Sequence, residues 1–274
     1  MFRSHPAALA RAGIAVAAVA VLVVSTAPHA AAEPPFIGDY STGDFSQWHV
    51  VQTRDFNGLA QDFEPDYSAR VVQDVVKGDV ARFEVRPGDV PPFGGGERSE
   101  VEGSQATGGV DGQSRWYRFS TKFDSSFPMN HADLGWGVTN QWHAVNADVS
   151  PPVSWTVDQR NGFWSLTIDK QSAPGVYLDA ISIFDTPLYV GQWHDVLMQI
   201  KWSALDDQGW INLWYNGIRQ KFSNGSETYF VRTLVPGTAG VYYKEGMYRK
   251  PTSSTDIVYH TGYRSADSMI GMPM

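Results

Sequence analysis

Tyr117-Arg118-Phe119-Ser120-Thr121-Lys122-Phe123 places Tyr117, Phe119 and Phe123 on odd positions, with Arg118, Ser120 and Lys122 between them. A period of two is the period of a strand, because successive side chains point to opposite faces; this stretch has one apolar and one polar face. The same holds for 196–202, where Val196, Met198, Ile200 and Trp202 share a face and Gln199 and Lys201 take the other. Asn161-Gly162 separates the runs 153–160 and 163–169, and Asn216-Gly217 follows 210–215. Asn-Gly between alternating runs predicts a two-residue hairpin turn in which both residues take positive φ. No stretch after Glu33 carries a helical stripe longer than about two turns, and no linker or internal repeat divides the chain. The expectation is a single all-β domain over residues 33–274, an antiparallel, concanavalin-like β-sandwich of the jelly-roll type.

Composition agrees with that size of fold. The chain has 274 residues, 42% of them hydrophobic, with 10 Trp, 14 Phe and 12 Tyr, which is ample for a large core and argues against disorder. It has no cysteine, which rules out a disulfide scaffold and any thiolate metal site. Arg3 and Arg11 lead into an apolar run from Ala12 to Val24, followed by Ala30-Ala31-Ala32. A basic lead, a short apolar stretch and an Ala-x-Ala close read as a secretory signal over residues 1–32, giving an exported protein with no further membrane contact. Without Arg3 and Arg11 the 21 basic residues become 19 against 29 acidic ones, and the net charge moves from −8 to −10. Such a balance disfavours nucleic acid as a partner, yet a local basic groove inside an acidic shell still suits an anionic polysaccharide.

Three segments put polar groups on one strand face. In Glu97-Arg98-Ser99-Glu100-Val101, Arg98 and Glu100 project together; in Asn140-Gln141-Trp142-His143, Gln141 and His143 do so, with Trp142 turned away. In 242–249 the positions Tyr242, Lys244, Gly246 and Tyr248 share a face, and a glycine there lets a ligand or a backbone approach closely. Glu-Arg-Ser-Glu, Gln-x-His and Tyr-x-Lys-x-Gly-x-Tyr, in this order, resemble the β-jelly-roll polysaccharide lyases. The heparin-lyase-like and glucuronan-lyase group is the nearer resemblance, and the jelly-roll alginate lyases are the more distant one. The frame Gly191-Gln192-Trp193-His194-Asp195, Trp214-Tyr215-Asn216-Gly217 and Gly246-Met247-Tyr248-Arg249 is similar to the first group as well, so the similarity spans about residues 95–264, with 36–48 as its opening strands. Glu245 departs from the pattern, standing where a small or apolar residue is usual.

The resemblance implies a lyase that cleaves a 4-linked uronic-acid polysaccharide by β-elimination, and the residue chemistry fits. The carboxylate must be neutralised, the C5 proton removed and the leaving O4 protonated. Arg98 offers a permanently charged fork for a carboxylate, Gln141 offers amide donors to the same group, and His143 and Tyr248 are proton-transfer partners. These four are the expected catalytic residues; Lys244, Tyr242, Glu100 and Asn140 are the expected substrate-binding residues, with Lys244 placed to lower the pKa of a neighbouring phenol and Tyr242 or a nearby Trp placed to stack on a sugar. All four catalytic residues should meet in one open cleft, made locally basic by Arg98, Lys244 and either Arg160 or Arg249. No cofactor or metal is required; a structural calcium stays open without support, since Asp206-Asp207-Gln208-Gly209 reads as a solvated turn. A monomer is expected. In Gln192-Trp193-His194, Trp193 reads as core and His194 as structural, and His131 and His49 are weaker candidates for function. Two other functions compete: a non-catalytic carbohydrate-binding module, and a glycoside hydrolase using two of Glu97, Glu100 and Glu102, which would need carboxylates flanking the bond.

Overall fold

The structure is a computed structural model that describes Met1, residues 35–130 and residues 133–272. The signal reading and His131 therefore lie outside the described residues. The described elements belong to one compact unit, Glu33–Met274. Its strands are β1 (Phe36–Gly38), β2 (Val50–Gln52), β3 (Asn57–Leu59), β4 (Ala69–Asp74), β5 (Gly78–Val85), β6 (Glu97–Glu102), β7 (Ser114–Phe123), β8 (Trp136–Ala144), β9 (Val153–Asp158), β10 (Phe163–Ala173), β11 (Val176–Pro187), β12 (Trp193–Lys201), β13 (Trp210–Tyr215), β14 (Ile218–Arg219), β15 (Tyr229–Phe230), β16 (Val241–Arg249) and β17 (Asp256–Ala266). Three single turns of 3₁₀ helix are the only helical segments among the described residues.

The strands form two antiparallel sheets. One runs β14-β13-β12-β7-β17-β5-β4, with β1 added to β17 and β15 to β13; the other runs β11-β10-β9-β8-β16-β6-β2-β3. Strands far apart in sequence are neighbours in both, as in a jelly roll. The alternation of 117–123 and 196–202 becomes the inner face of the first sheet, where Tyr117, Phe119, Phe123, Val196, Met198 and Ile200 are buried. They meet Trp142, Trp155, Trp164 and Tyr243 from the second. Trp155 and Trp164 pack with ring centroids 4.2 Å apart, and Tyr243 of β16 stacks on Tyr263 of β17 at 3.8 Å, tying sheet to sheet. Without disulfides, such burial, worth on the order of 1.5–3 kcal/mol for each large apolar side chain, is what holds the sheets together.

Two local expectations change. Asn216-Gly217 is the expected two-residue turn, with φ of 50° and 78° and Tyr215 paired to Ile218. Asn161-Gly162 instead closes a four-residue loop: Asp158 pairs with Phe163, and of these two loop residues only Gly162, at φ 72°, is left-handed. Asp158 causes this, since its carbonyl accepts from the amides of both Asn161 and Gly162. Trp193 is also not core. It sits half-buried on the outer face under the Lys122 ammonium, 4.7 Å from its ring centroid, while His194 points inward. Val196 and Met198 already set that parity.

Candidate active site

β6, β16 and β8 lie side by side in the eight-stranded sheet, and register alone assembles the site. Tyr248 pairs with Arg98, Lys244 with Gln141, and Tyr242 with His143. Because Trp142, Tyr243 and Met247 face the core, the alternate residues face away from the other sheet. There Arg98, Gln141, His143, Lys244 and Tyr248 line a cleft of about 710 Å³. An extra residue in β16 relative to β8, between Glu245 and Tyr248, brings Tyr248 level with Val138. Gly246 makes this possible: its φ is 144°, and a Cβ there would lie 2.2 Å from the Ser99 carbonyl oxygen. The close approach is thus by the backbone of β6, not by a ligand. The Gly94-Gly95-Gly96 loop packs closely against two of the cleft residues. A Cβ on Gly95 would lie 2.8 Å from Arg98 Nη2, and one on Gly96 2.7 Å from the Tyr248 ring.

Glu100 organises the floor. It is buried and lies beneath the groups it was expected to join: Gln141 Nε2 donates to Glu100 Oε1 at 2.6 Å, Lys244 Nζ to Oε2 at 3.0 Å, and Arg98 Nη1 lies 3.5 Å away. Burial pushes the Glu100 carboxyl up, but Lys244 and Arg98 outweigh it and hold the group below its usual range. It is an ionised anchor. Lys244 also donates to Gln52 at 2.6 Å, so its ammonium is fixed on two sides. The Arg98 guanidinium lies between two rings, 4.0 Å from the Tyr248 centroid and 5.0 Å from that of Phe93, and its buried Nε has no hydrogen-bond partner among the described residues. Tyr248 meets Trp136 edge-on at 5.2 Å, and Trp136 is the exposed indole at the rim of the cleft.

His143 is pushed down from its ordinary value by burial first and by the Lys244 charge second, so its ring is neutral at neutral pH. Its Nδ1 lies 3.1 Å from the Ala144 carbonyl oxygen and 3.3 Å from Tyr242 Oη. A proton on Nδ1 satisfies that carbonyl and leaves the lone pair on Nε2. Tyr242 does not fit the expectation that Lys244 lowers a phenol's pKa. Burial, then Glu102 and Glu100, push Tyr242 up, and it supports His143 from beside the cleft.

Other expectations are corrected by parity. Asn140 is adjacent to Gln141 and therefore on the opposite face, buried between the sheets: it donates to Tyr243 Oη at 2.7 Å and accepts from Thr121 Oγ1 at 3.2 Å. It cannot bind substrate in the cleft. Arg249 is likewise inward, bound to Glu97 at 2.9 Å and Asp256 at 2.6 Å, and Arg160 is paired with Asp158 away from the cleft lining. Glu97 faces inward, and none of Glu97, Glu100 and Glu102 is among the residues that line the cleft, so no pair of carboxylates from 97–102 flanks a bond there. The cleft is also less basic than expected, because Asp148 and Asp169 line it too, with Ser154, Thr156, Thr167 and Tyr177. No sequence signal marked these residues, although Ser154 and Thr156 alternate with Val153, Trp155 and Val157. Asp206 is bound by Arg232 at 2.9 Å and Lys170 at 3.0 Å, which makes the 206–209 turn an ion-paired corner.

Residues 40–264 match the polysaccharide lyase family model. The chain belongs to the polysaccharide lyase family. Among curated proteins nothing matches this lyase. Among solved structures, it is similar to an endo-β-1,4-glucuronan lyase from Trichoderma reesei, with a TM-score of 0.61, 16% identity, and 87% of this chain and 97% of that chain covered. It is also similar to a family 7 alginate lyase, A1-II′, crystallised with substrate (TM-score 0.56, 12% identity, 84% and 97% covered), and to an alginate lyase from Pseudomonas aeruginosa (TM-score 0.52, 15% identity, 80% and 96% covered). At these identities the likeness is one of fold: the same two-sheet jelly roll carries all four chains.

Proposed function

We propose that this lyase is exported and cleaves a 4-linked uronic-acid polysaccharide by β-elimination in the cleft of β6, β8 and β16. The observation that carries this reading is the meeting of a phenol, a neutral imidazole, an amide and a guanidinium over one ionised anchor. Arg98 and Gln141 face the substrate carboxylate and draw off the charge that develops when the C5 proton leaves, as donors aimed at developing charge do. Their aim is fixed by Glu100, which costs no reorganisation during reaction. Tyr248 is the proton carrier. Where C5–H and O4 lie on the same side, as in glucuronate or mannuronate, one phenol takes the C5 proton and returns it to O4, with His143 helping to hold the carboxylate. Where they lie on opposite sides, His143 Nε2 is the base and Tyr248 the acid. The likeness in fold to a glucuronan lyase favours the first arrangement.

Export rests on Arg3, Arg11, the apolar run 12–24 and Ala30-Ala31-Ala32; among the described residues no helix is long and apolar enough to cross a membrane. Mass spectrometry of the protein from culture medium should give a mature chain starting at Glu33. The enzymatic reading is tested by incubating the lyase with a panel of uronans and following ultraviolet absorbance and reducing ends together. Both rising in step supports elimination; reducing ends without absorbance would overturn it.

A further inference from the structure

We propose that the substrate of this cleft is a heteropolymer of low charge density, with one carboxylate at the reacting sugar and a non-anionic sugar, neutral or amine-bearing, beside it. The inference rests on the reading of the cleft as a uronan-cleaving site and adds to it a charge pattern along the chain.

At the β6–β16 side, Arg98 and Lys244 bring two positive charges, and Glu100, bound to both, removes one. His143 is neutral. A net charge of plus one balances a single carboxylate and offers nothing to a sulfate on the same sugar. Across β9 the lining is uncharged, from Ser154 and Thr156. Beyond it the sign reverses. Asp169 of β10 lines the cleft there, and Asp148, in the loop between β8 and β9, lines it nearer to His143, whose charged form it favours; neither aspartate has an ion-pair partner among the described residues. Lys170, next to Asp169 in the chain, is held elsewhere by Asp206 at 3.0 Å. From β16 to β10 is three strand steps, roughly 14 Å at the usual interstrand spacing, so Asp169 faces a neighbour of the reacting sugar. Burial already pushes the Asp169 carboxyl up, and a second carboxylate in contact would raise it further. Repulsion of that kind between carboxylates a few ångströms apart, in a partly shielded site, weakens binding by about tenfold or more.

The test compares kcat/KM at low salt on four polymers: a homopolymer of glucuronate, glucuronate alternating with a neutral hexose, glucuronate alternating with a free amino sugar, and a sulfated form of the last. The wild-type lyase should prefer the second or third over the first and fourth by about tenfold or more. The ratio should fall severalfold in Asp148→Asn/Asp169→Asn, and also at high salt. The single variant Asp148→Asn, altered on an exposed loop, should show part of the fall if the double variant folds poorly. Equal or faster cleavage of the homopolymer, or a ratio untouched by these substitutions, would overturn the proposal. Affinities of Tyr248→Phe for the same polymers separate the two claims. Preferential binding of the alternating chains without elimination by the wild type upholds the charge pattern and removes the lyase reading; elimination without any preference does the reverse.

Discussion

The two faces of β16 carry nearly the same chemistry and do opposite work. Tyr242, Lys244 and Tyr248 lie on one face, and Tyr243, Glu245 and Arg249 on the other. Inside, the partners are saturated. Tyr40 and Tyr243 donate to Glu245 at 2.7 and 3.1 Å, and Asn140 donates to Tyr243. His260 lies 3.9 Å from Glu245, with Nε2 on the Gly246 carbonyl oxygen and Nδ1 on Thr121. Burial pushes Glu245 up to about 8 and His260 down to about 3, so both are neutral at neutral pH and the network is one of neutral hydrogen bonds between the sheets. Outside, the Tyr248 hydroxyl has no hydrogen-bond partner among the described residues, and only its ring is held, by Arg98 and Trp136. A polar side chain with every bond made is structural. One positioned by its carbon skeleton, with its proton free, can react.

That contrast is open to direct attack. The largest effect expected is on turnover: Tyr248→Phe should lose at least about two orders of magnitude in kcat, the size typical of a lost proton-transfer group, with an unchanged melting temperature. His143→Ala should be similarly damaging on a guluronate or iduronate polymer but leave measurable activity on glucuronan. Next in size is Arg249→Met, which strands Glu97 and Asp256 inside the protein and should cost about 3–5 kcal/mol of stability by urea titration, without altering turnover of the molecules that remain folded. Tyr243→Phe, the inner counterpart of Tyr248→Phe, leaves Asn140 and Glu245 short of a partner. It should cost about 1–3 kcal/mol and spare kcat; a hundredfold loss of kcat there would erase the distinction between the faces.

The smallest effect is a pH slope. The folded Glu245 carboxyl sits at about 8, above its ordinary 4.5, so its contribution to stability is fully present below pH 4.5 and is lost as pH rises through 8. His260 slopes the other way, losing stability as pH falls from 6.5 towards about 3. Glu245→Gln should therefore flatten the decline between neutral pH and pH 8, a change of about 1 kcal/mol over that single pH unit, seen as denaturation midpoints that no longer fall across that window.

The period-two pattern made the sandwich legible, and the three polar segments made the meeting of Arg98, Gln141, His143, Lys244 and Tyr248 legible once they were read as neighbouring strands. Strict parity decides the remaining positions. Asn140 is adjacent to Gln141, Arg249 to Tyr248 and Trp193 to His194, and strand alternation puts each on the face opposite its neighbour. Glu245 broke the family pattern without harm because Tyr40, about 200 residues away in sequence, supplies a hydroxyl to it; no local reading finds such a partner. Asp148 and Asp169 were invisible for the same reason. A single aspartate in a loop or on a strand acquires meaning only when the register of β8, β9 and β10 places it on the cleft.

The central claim is that the proton at C5 is removed in this cleft by Tyr248. A glucuronan deuterated at C5 tests it most directly: every new unsaturated end should have lost its label, and the wild-type lyase should turn the polymer over more slowly than its unlabelled form. Products that keep deuterium at C5 while reducing ends accumulate would contradict the account.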